Sequence, residues 1–308
     1  MTEAALSFAS FRSVRHWPMW LLWYALRAAS WLPFKAGLAL GRGLGAVFRM
    51  VAPRKRRIVR RNIETCFPLL SAAEREQLIK RHFAAVGISF FEMAMAWFWP
   101  IEKLRARIRV EGREHLDAAL AERRGVLLLS AHFTCLEVGV SILQDLCTRC
   151  ACMYRPQRNP MMDVIIRRGR SRFAQVQIAR DNVRTLLKRL KAGDVVAYMP
   201  DQTYLGNQSA LLPFFGEPAV TNTATSKLAR LSGAPMLTYF FRRLPDDSGY
   251  VVHIGPPLEG FPSDDAIADT RRLVDALERY IEVAPEQYLW LYKKFKGRPA
   301  SLPDLYAD

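Results

Sequence analysis

The sequence predicts an α/β fold with a mostly parallel central sheet flanked by helices, preceded by an N-terminal membrane-associated helical segment. After about residue 108, short apolar runs typical of buried strands alternate with helical patterns, which favours a parallel sheet covered by helices. Half of the 308 residues are hydrophobic, which is enough for a full core. Because the composition changes near residue 53, we assign residues 1–53 to N-terminal anchor helices and residues 54–308 to the α/β domain.

The N-terminal segment opens with the apolar run WPMWLLWYAL at residues 17–26. Four basic residues interrupt the apolar pattern that follows: Arg27, Lys35, Arg42 and Arg49. A spanning helix needs ~20 apolar residues without such interruptions. At ~100° per residue the four basic positions would form one stripe on a continuous helix, although Pro33 interrupts it. The pattern favours helices in the membrane interface; the alternative is an amphipathic helix packed on the protein's own core.

A long helix is predicted next, from the capping box formed by Ser71 and Glu74 to the stop at Pro100. Beyond it, apolar runs predict buried strands at 125–131, 194–199, 234–241 and 250–255. Helical patterns separate these runs at 136–146, 160–173, 182–191, 221–232 and 264–284. We expect Asp181 to cap the third of these helices at its N-terminus.

The most suggestive polar pattern is His132, directly after the first strand, with Glu137 five residues later. Open α/β sheets place their sites where a strand's carboxyl end leads into a helix. We expect Glu137 to accept the imidazole N–H of His132, so that the other ring nitrogen can act as a general base. Spacing alone also fits a structural histidine.

Other candidate residues follow the later strands. Asp201 and Gln202 come after the strand at 194–199, where they could belong to the site or form a turn. Residues 155–191 carry eleven lysines and arginines, which could bind phosphate or a carrier protein or form a solvated face.

The net charge of +16 favours an anionic partner: nucleic acid, an anionic membrane surface, or a phosphorylated or acidic substrate. No helix-turn-helix signature or interleaving of aromatic and basic residues indicates nucleic-acid binding.

The odd number of cysteines, five, argues against a closed disulfide framework. Cys147, Cys150 and Cys152 cluster, but no second pair lies nearby to complete a zinc site.

Several segments together resemble the lipid A late acyltransferases, in the lysophospholipid-acyltransferase-like superfamily, and within it the lauroyl transferases. The matching segments are RRNIETCFPLLSAAER (60–75), HFAAVGISFFEMAMAWFW (82–99), HFTCLE (132–137), YRPQRNPMMDVI (154–165), GRSRF (169–173), MPDQ (199–202), PFFG (213–216) and PEQYLWLYKKFKGRP (285–299). Each segment is short, but their common order from about residue 17 to residue 299 is specific.

The resemblance implies that His132 and Glu137 form the family's His-X4-acid signature. The implied reaction is attack by a 3-hydroxyacyl hydroxyl of (Kdo)2-lipid IVA on an acyl-carrier-protein thioester, without a cofactor. It further implies substrate-binding roles for the YRP, GR and MPDQ motifs, whose residues are Arg155, Gly169, Arg170, Asp201 and Gln202. Glu at position 137 and Phe133 favour the lauroyl-type branch over the myristoyl-type branch.

Members of the family are bound to the bacterial inner membrane with their active sites facing the cytoplasm. The resemblance therefore implies the same location and orientation for this protein. Four positions depart from the family's usual pattern: Thr203, Tyr292, Lys293 and Lys294. These departures leave the acceptor open, so another glycolipid or phospholipid is an alternative to the lipid A precursor. A basic membrane-surface or nucleic-acid-binding protein without enzymatic activity is a further alternative.

Overall fold

The computed structural model describes residue 11 and residues 13–174 and 176–307. The first third is helical, with helices α1 (Trp17–Ala29), α2 (Phe34–Val51), α3 (Pro53–Cys66), α4 (Ala72–Phe98) and α5 (Ile101–Arg105). The predicted capping box begins α4, because Ser71 Oγ accepts from the Glu74 amide and Glu74 accepts from the Ser71 amide. The boundary near residue 53 falls between α2 and α3, and the division into two domains stays a prediction.

Helix α2 packs on α4 with backbone against backbone. A Cβ atom at Gly87 of α4 would lie 2.0 Å from the Gly41 carbonyl oxygen and 2.7 Å from the Gly45 Cα atom of α2. Only glycine permits this approach, so the GLALGRGLG pattern of α2 fixes one helix face against the protein. The close packing leaves the opposite face of α2 outward.

The outward faces of α1 and α2 are apolar. Exposed side chains recur at helical spacing along both helices: Trp17, Leu21 and Tyr24 on α1, and Leu40, Leu44, Val47 and Val51 on α2. Arg42 and Arg49 pair instead with Asp247 and Glu76 of the protein. Two members of the expected basic stripe therefore meet protein carboxylates. Among the described helices, none is both long and apolar enough to cross a membrane.

The strands form a seven-stranded sheet in the order β1-β9-β8-β2-β5-β3-β4 and a separate antiparallel hairpin, β6-β7. Their bounds are β1 (Ile108–Glu111), β2 (Val126–Leu129), β3 (Cys150–Tyr154), β4 (Val176–Ala179), β5 (Val195–Tyr198), β6 (Ser209–Phe214), β7 (Glu217–Asn222), β8 (Met236–Arg243) and β9 (Tyr250–Pro257). Every neighbouring pair in the large sheet is parallel except β8 with β9. The predicted mostly parallel sheet is confirmed.

Helices flank this sheet as expected from the alternating pattern. They are α6 (Arg113–Ala121), α7 (Leu136–Ser141), α8 (Leu143–Leu146), α9 (Pro160–Arg170), α10 (Val183–Lys191), α11 (Ala224–Ser232) and α12 (Ala266–Val283). Two expectations were wrong in detail. Asn182, not Asp181, caps α10, because its side chain accepts from the Thr185 amide. The region 221–232 begins with the end of β7 before α11 starts.

The central strands β2 and β5 are buried along their whole length and determine where the site forms. They are parallel neighbours in a register that pairs Leu129 with Tyr198. His132 follows Leu129 by three residues, and Asp201 follows Tyr198 by three residues. The register therefore brings these two polar residues to the same edge of the sheet.

Candidate active site

His132 is paired with Asp201 through two hydrogen bonds. Asp201 Oδ1 lies 2.7 Å from the imidazole Nδ1, and Asp201 Oδ2 accepts from the His132 backbone amide at 3.1 Å. The Asp201 side chain is 2% exposed, whereas the His132 side chain is 28% exposed. Because Nδ1 faces the buried carboxylate, the ring nitrogen left to meet a substrate is Nε2.

Glu137 makes no hydrogen bond to the His132 ring, so the expected hydrogen bond between them was wrong. The Glu137 carboxylate accepts instead from Arg170 Nε at 3.0 Å and from Trp97 Nε1 at 2.9 Å. The physical reason is that Glu137, on the first turn of α7, meets donors from α4 and α9, and these occupy both of its oxygens. Asp201 takes the place in which Glu137 was predicted.

Arg170 ends α9 and lies near His132. Its side chain is 18% exposed, and its charge acts to lower the pKa of His132. Nε and Nη2 both bind Glu137, which holds the guanidinium in a fixed orientation. Among the described residues, Nη1 has no hydrogen-bonding partner, so it is available to an anion.

Gly169 is buried beneath the indole ring of Trp97. A Cβ atom at this position would lie 2.3 Å from Trp97 Cδ2. The glycine of the GR motif thus lets α9 approach the ring that donates to Glu137. The ring covers this glycine and gives it a packing role, and its predicted substrate-binding role stays a prediction.

The remaining predicted residues lie around this centre. Gln202 is half-buried beside Asp201, and Arg155 is exposed just after β3. No contact in the described part of the chain tests their substrate-binding roles, which stay predictions. Of the basic segment, Arg172 is exposed, and its guanidinium donates to the carbonyls of Trp97 and Trp99 at the end of α4. It therefore satisfies carbonyl groups at a helix end as well as facing solvent.

Charge and burial act in opposite directions on the His132–Asp201 pair. Burial lowers the pKa of His132, but the Asp201 carboxylate overcomes this and leaves the pKa above the ordinary value of about 6.5. Burial likewise raises the pKa of Asp201, whereas the imidazolium and the ammonium of Lys294 lower it, and the net shift is downward. The carboxylate therefore favours the protonated ring, and the two groups titrate as a coupled pair.

A segment near the C-terminus holds both members of the pair, and none of its residues was among the predicted site residues. We call residues 287–294 the C-terminal strap. The Thr134 amide donates to the Gln287 carbonyl at 2.7 Å, and the Leu289 amide donates to the His132 carbonyl at 2.9 Å. Tyr288 of the strap also donates to Asp201 Oδ2 at 3.2 Å. The strap lies within segment 285–299, whose resemblance to the family was the one feature of the sequence that pointed to it.

The site offers a base and a fixed cation beside it. Cys135 is not suited to act as a nucleophile, because it is buried and burial raises the pKa of its thiol. His132 Nε2 can remove a proton from a hydroxyl, with Asp201 stabilising the imidazolium that forms. Fold and site together define an α/β protein with a positioned histidine that is suited to act as a general base.

Comparison with known proteins identifies the family. The model of the bacterial lipid A biosynthesis acyltransferases matches residues 7–297. The chain is 39% identical to the lipid A biosynthesis palmitoleoyltransferase of Escherichia coli strain K12, over 96% of this chain and 97% of that protein. Identity is 37% with the lauroyltransferase of the same strain, over 95% of each chain, and 25% with its myristoyltransferase, over 96% and 94%. The protein belongs to this family and is an acyltransferase.

Proposed function

We propose that this acyltransferase moves a fatty acyl chain from an acyl-carrier-protein thioester onto a 3-hydroxyacyl hydroxyl of (Kdo)2-lipid IVA, a lipid A precursor. The observation that carries the proposal is the His132–Asp201 pair at the carboxyl ends of β2 and β5. It supplies a positioned base, which is what an alcohol needs in order to attack a thioester. Membership of the lipid A family supports the choice of acceptor.

The proposed reaction proceeds by direct attack. His132 Nε2 removes the proton of the acceptor hydroxyl while its oxygen forms a bond to the thioester carbonyl carbon. The tetrahedral intermediate collapses, the carbon–sulfur bond breaks, and the imidazolium returns its proton to the departing thiolate. Asp201 stabilises the imidazolium between these two transfers. The products are an ester and the free thiol of the carrier, and no cofactor is needed.

Arg170 is proposed to bind negative charge beside this base. Its orientation by Glu137 leaves Nη1 as the donor, and a fixed cation in a partly buried site stabilises an oxyanion more than a mobile one. The same donor could instead bind a phosphate of the acceptor. In both cases Glu137 acts through Arg170.

The acyl chain we propose is lauroyl, following Glu137 and Phe133. The relatives with 39% and 37% identity are named for palmitoleoyl and lauroyl transfer respectively, so the donor panel must contain both chains. An acidic carrier protein also suits a chain with a net charge of +16.

Mass spectrometry tests the proposal. Purified full-length protein is mixed with (Kdo)2-lipid IVA and a panel of acyl-carrier-protein thioesters, with His132→Ala alongside. The expected result is a mass gain of one acyl chain that is absent from the variant, with lauroyl as the preferred donor. A folded wild-type protein that gives no product with any donor would contradict the proposed acceptor or donor. Preference for palmitoleoyl would contradict the proposed chain alone.

We propose further that the exposed apolar stripes of α1 and α2 lie in the cytoplasmic leaflet of the inner membrane. Their aromatic and aliphatic side chains, flanked by basic residues, suit the interface. A Leu40→Glu/Leu44→Glu variant should bind vesicles containing anionic phospholipid several-fold less than wild type. Leu231→Glu, at an exposed leucine of α11, is the matched control. Equal binding by all three proteins would refute the stripe as the membrane contact.

A further inference from the structure

The C-terminal strap contacts Asp201 with two side chains. Tyr288 Oη donates to Asp201 Oδ2 at 3.2 Å, and Lys294 Nζ donates to the Asp201 backbone carbonyl at 2.8 Å. Both strap residues are buried, Tyr288 at 4% and Lys294 at 3% exposure. An ammonium group is costly to bury without a partner, so its position against Asp201 requires an explanation.

Neighbouring hydrogen bonds fix the strap to the turn that carries Asp201. Thr203 Oγ1 donates to the Lys294 carbonyl at 2.9 Å, and Tyr292 Oη donates to the Thr203 carbonyl at 3.3 Å. The Lys294 ammonium also lies 4.4 Å from the centre of the Phe214 ring, a favourable cation–π distance. These contacts hold Lys294 in place and exclude bulk water from its charge.

The charge of Lys294 acts on Asp201 rather than on solvent. Burial lowers the pKa of Lys294, and the Asp201 carboxylate opposes that change. Reciprocally, the Lys294 charge lowers the pKa of Asp201. The other titratable groups facing these residues are His132, Cys66, Glu278 and Tyr288, with Arg170 beyond the imidazole.

We propose that Lys294 is a positioning residue that acts on His132 through Asp201, assisted by Tyr288. Its buried ammonium partly offsets the negative charge of Asp201, so that the carboxylate attracts the His132 proton less strongly and His132 becomes the free base at a lower pH. This inference rests on the proposed function only in giving His132 the role of base. The arrangement itself requires no particular acceptor or acyl chain.

The direction of the expected shift in the His132 pKa follows because His132 and Asp201 titrate together. Removing a nearby positive charge makes any coupled pair take up its proton at higher pH. Lys294→Met should therefore raise the pKa of His132 by ~1 unit, within the usual range for one neighbouring charge. Tyr288→Phe removes one donor to the carboxylate, while the His132 amide still holds Asp201 Oδ2, so the rise should be smaller.

NMR titration of the full-length protein in detergent tests this without any substrate. The protein is labelled at histidine, and the His132 imidazole signal is assigned by its loss in His132→Ala. Lys294→Met and Tyr288→Phe are compared with Lys293→Met, whose exposed side chain lies over the Tyr306 ring and away from Asp201. Lys293→Met should leave the pKa of His132 unchanged.

A second readout uses a double-mutant cycle on kcat. If Lys294 acts through Asp201, Lys294→Met should cost much less in an Asp201→Asn background than in wild type. A strap that only stabilises the fold would reduce kcat equally in both backgrounds and leave the pKa of His132 unchanged. If Lys294→Met does not fold, the shift in the His132 pKa of the Tyr288→Phe variant still tests the proposal.

Two failures can be told apart. If neither variant raises the pKa of His132, the role of Lys294 and Tyr288 is refuted, whatever the enzyme acylates. If the pKa rises as expected but His132→Ala keeps its activity, the proposed base is refuted while the electrostatic coupling stands.

Discussion

The site contains two buried carboxylates, each paired with a cation, and they differ in the kind of cation. Asp201, 2% exposed, faces an imidazole whose charge changes in the physiological pH range. Glu137, 9% exposed, faces a guanidinium that is always charged. The first arrangement can control a proton, and the second can only hold a fixed charge in place. Two carboxylates that are both buried can therefore have different roles.

The largest effect should come from the imidazole itself. His132→Ala removes the proposed base, and we expect kcat to fall by about 10³-fold, in the range for general-base catalysis. Acyl transfer is followed by mass spectrometry, and folding by thermal denaturation. His253→Ala, at a side chain 46% exposed on β9, is the matched control and should retain its rate. A His132→Ala rate within threefold of wild type would contradict the general-base role.

The second-largest loss of activity should come from substitution of Asp201. Asp201→Asn keeps the shape of the side chain but removes its charge, and we expect kcat to fall by about 10²- to 10³-fold because the imidazolium loses its stabilisation. The matched comparison is Glu137→Gln, for which about a tenfold loss is expected because Arg170 is only loosened. If Glu137→Gln were the more damaging change, the two carboxylates would have the opposite roles.

Arg170→Met should reduce kcat by an amount between those expected for Asp201→Asn and Glu137→Gln. It should shift the pKa of His132 in the direction opposite to the shift caused by Asp201→Asn. The Arg170 charge lowers the pKa of His132, so Arg170→Met should raise that pKa while reducing kcat by about 10²-fold. The base is needed in its neutral form, so the acid limb of the pH–rate profile should move to higher pH. An acid limb that moved to lower pH would show that Arg170 does not act on His132 through its charge.

The smallest effect should come from the glycine that supports Glu137. Gly169→Ala forces Trp97 to move, and overpacking of this kind costs about 1–3 kcal/mol of stability. Gly43→Ala is the control, because a Cβ atom at this α2 position meets nothing within 4 Å. It should be neutral or stabilising by about 0.5–1 kcal/mol, since alanine favours a helix. Thermal denaturation that ranks the two variants otherwise would refute the packing role of Gly169.

Much of the fold could be predicted because it depends on local patterns. The capping box at Ser71, the buried strands β2 and β5, and the helices after them follow from periodicity and turn residues. The hairpin β6-β7 was missed because its alternation is weak and its second strand continues directly into α11. The N-cap of α10 was misplaced by one residue because Asp181 and Asn182 are both good caps.

The site was predicted only in part, for a physical reason. Spacing placed His132 near Glu137, but side-chain direction depends on packing against α4 and α9, which a spacing argument cannot supply. The register between β2 and β5 joins His132 with Asp201 across 69 residues of sequence. Three of the four residues that depart from the family pattern, Thr203, Tyr292 and Lys294, also contact one another in the folded chain. Such contacts form only on folding.

Asp201, rather than Glu137, is the carboxylate partner of His132. This pairing is tested by measuring the pKa of His132 by NMR titration in wild type, Asp201→Asn and Glu137→Gln. Because the Asp201 charge raises this pKa against the effect of burial, Asp201→Asn should lower it below that of wild type, and Glu137→Gln should change it less. A pKa that falls in Glu137→Gln and stays unchanged in Asp201→Asn would show that Glu137, not Asp201, is the partner of His132.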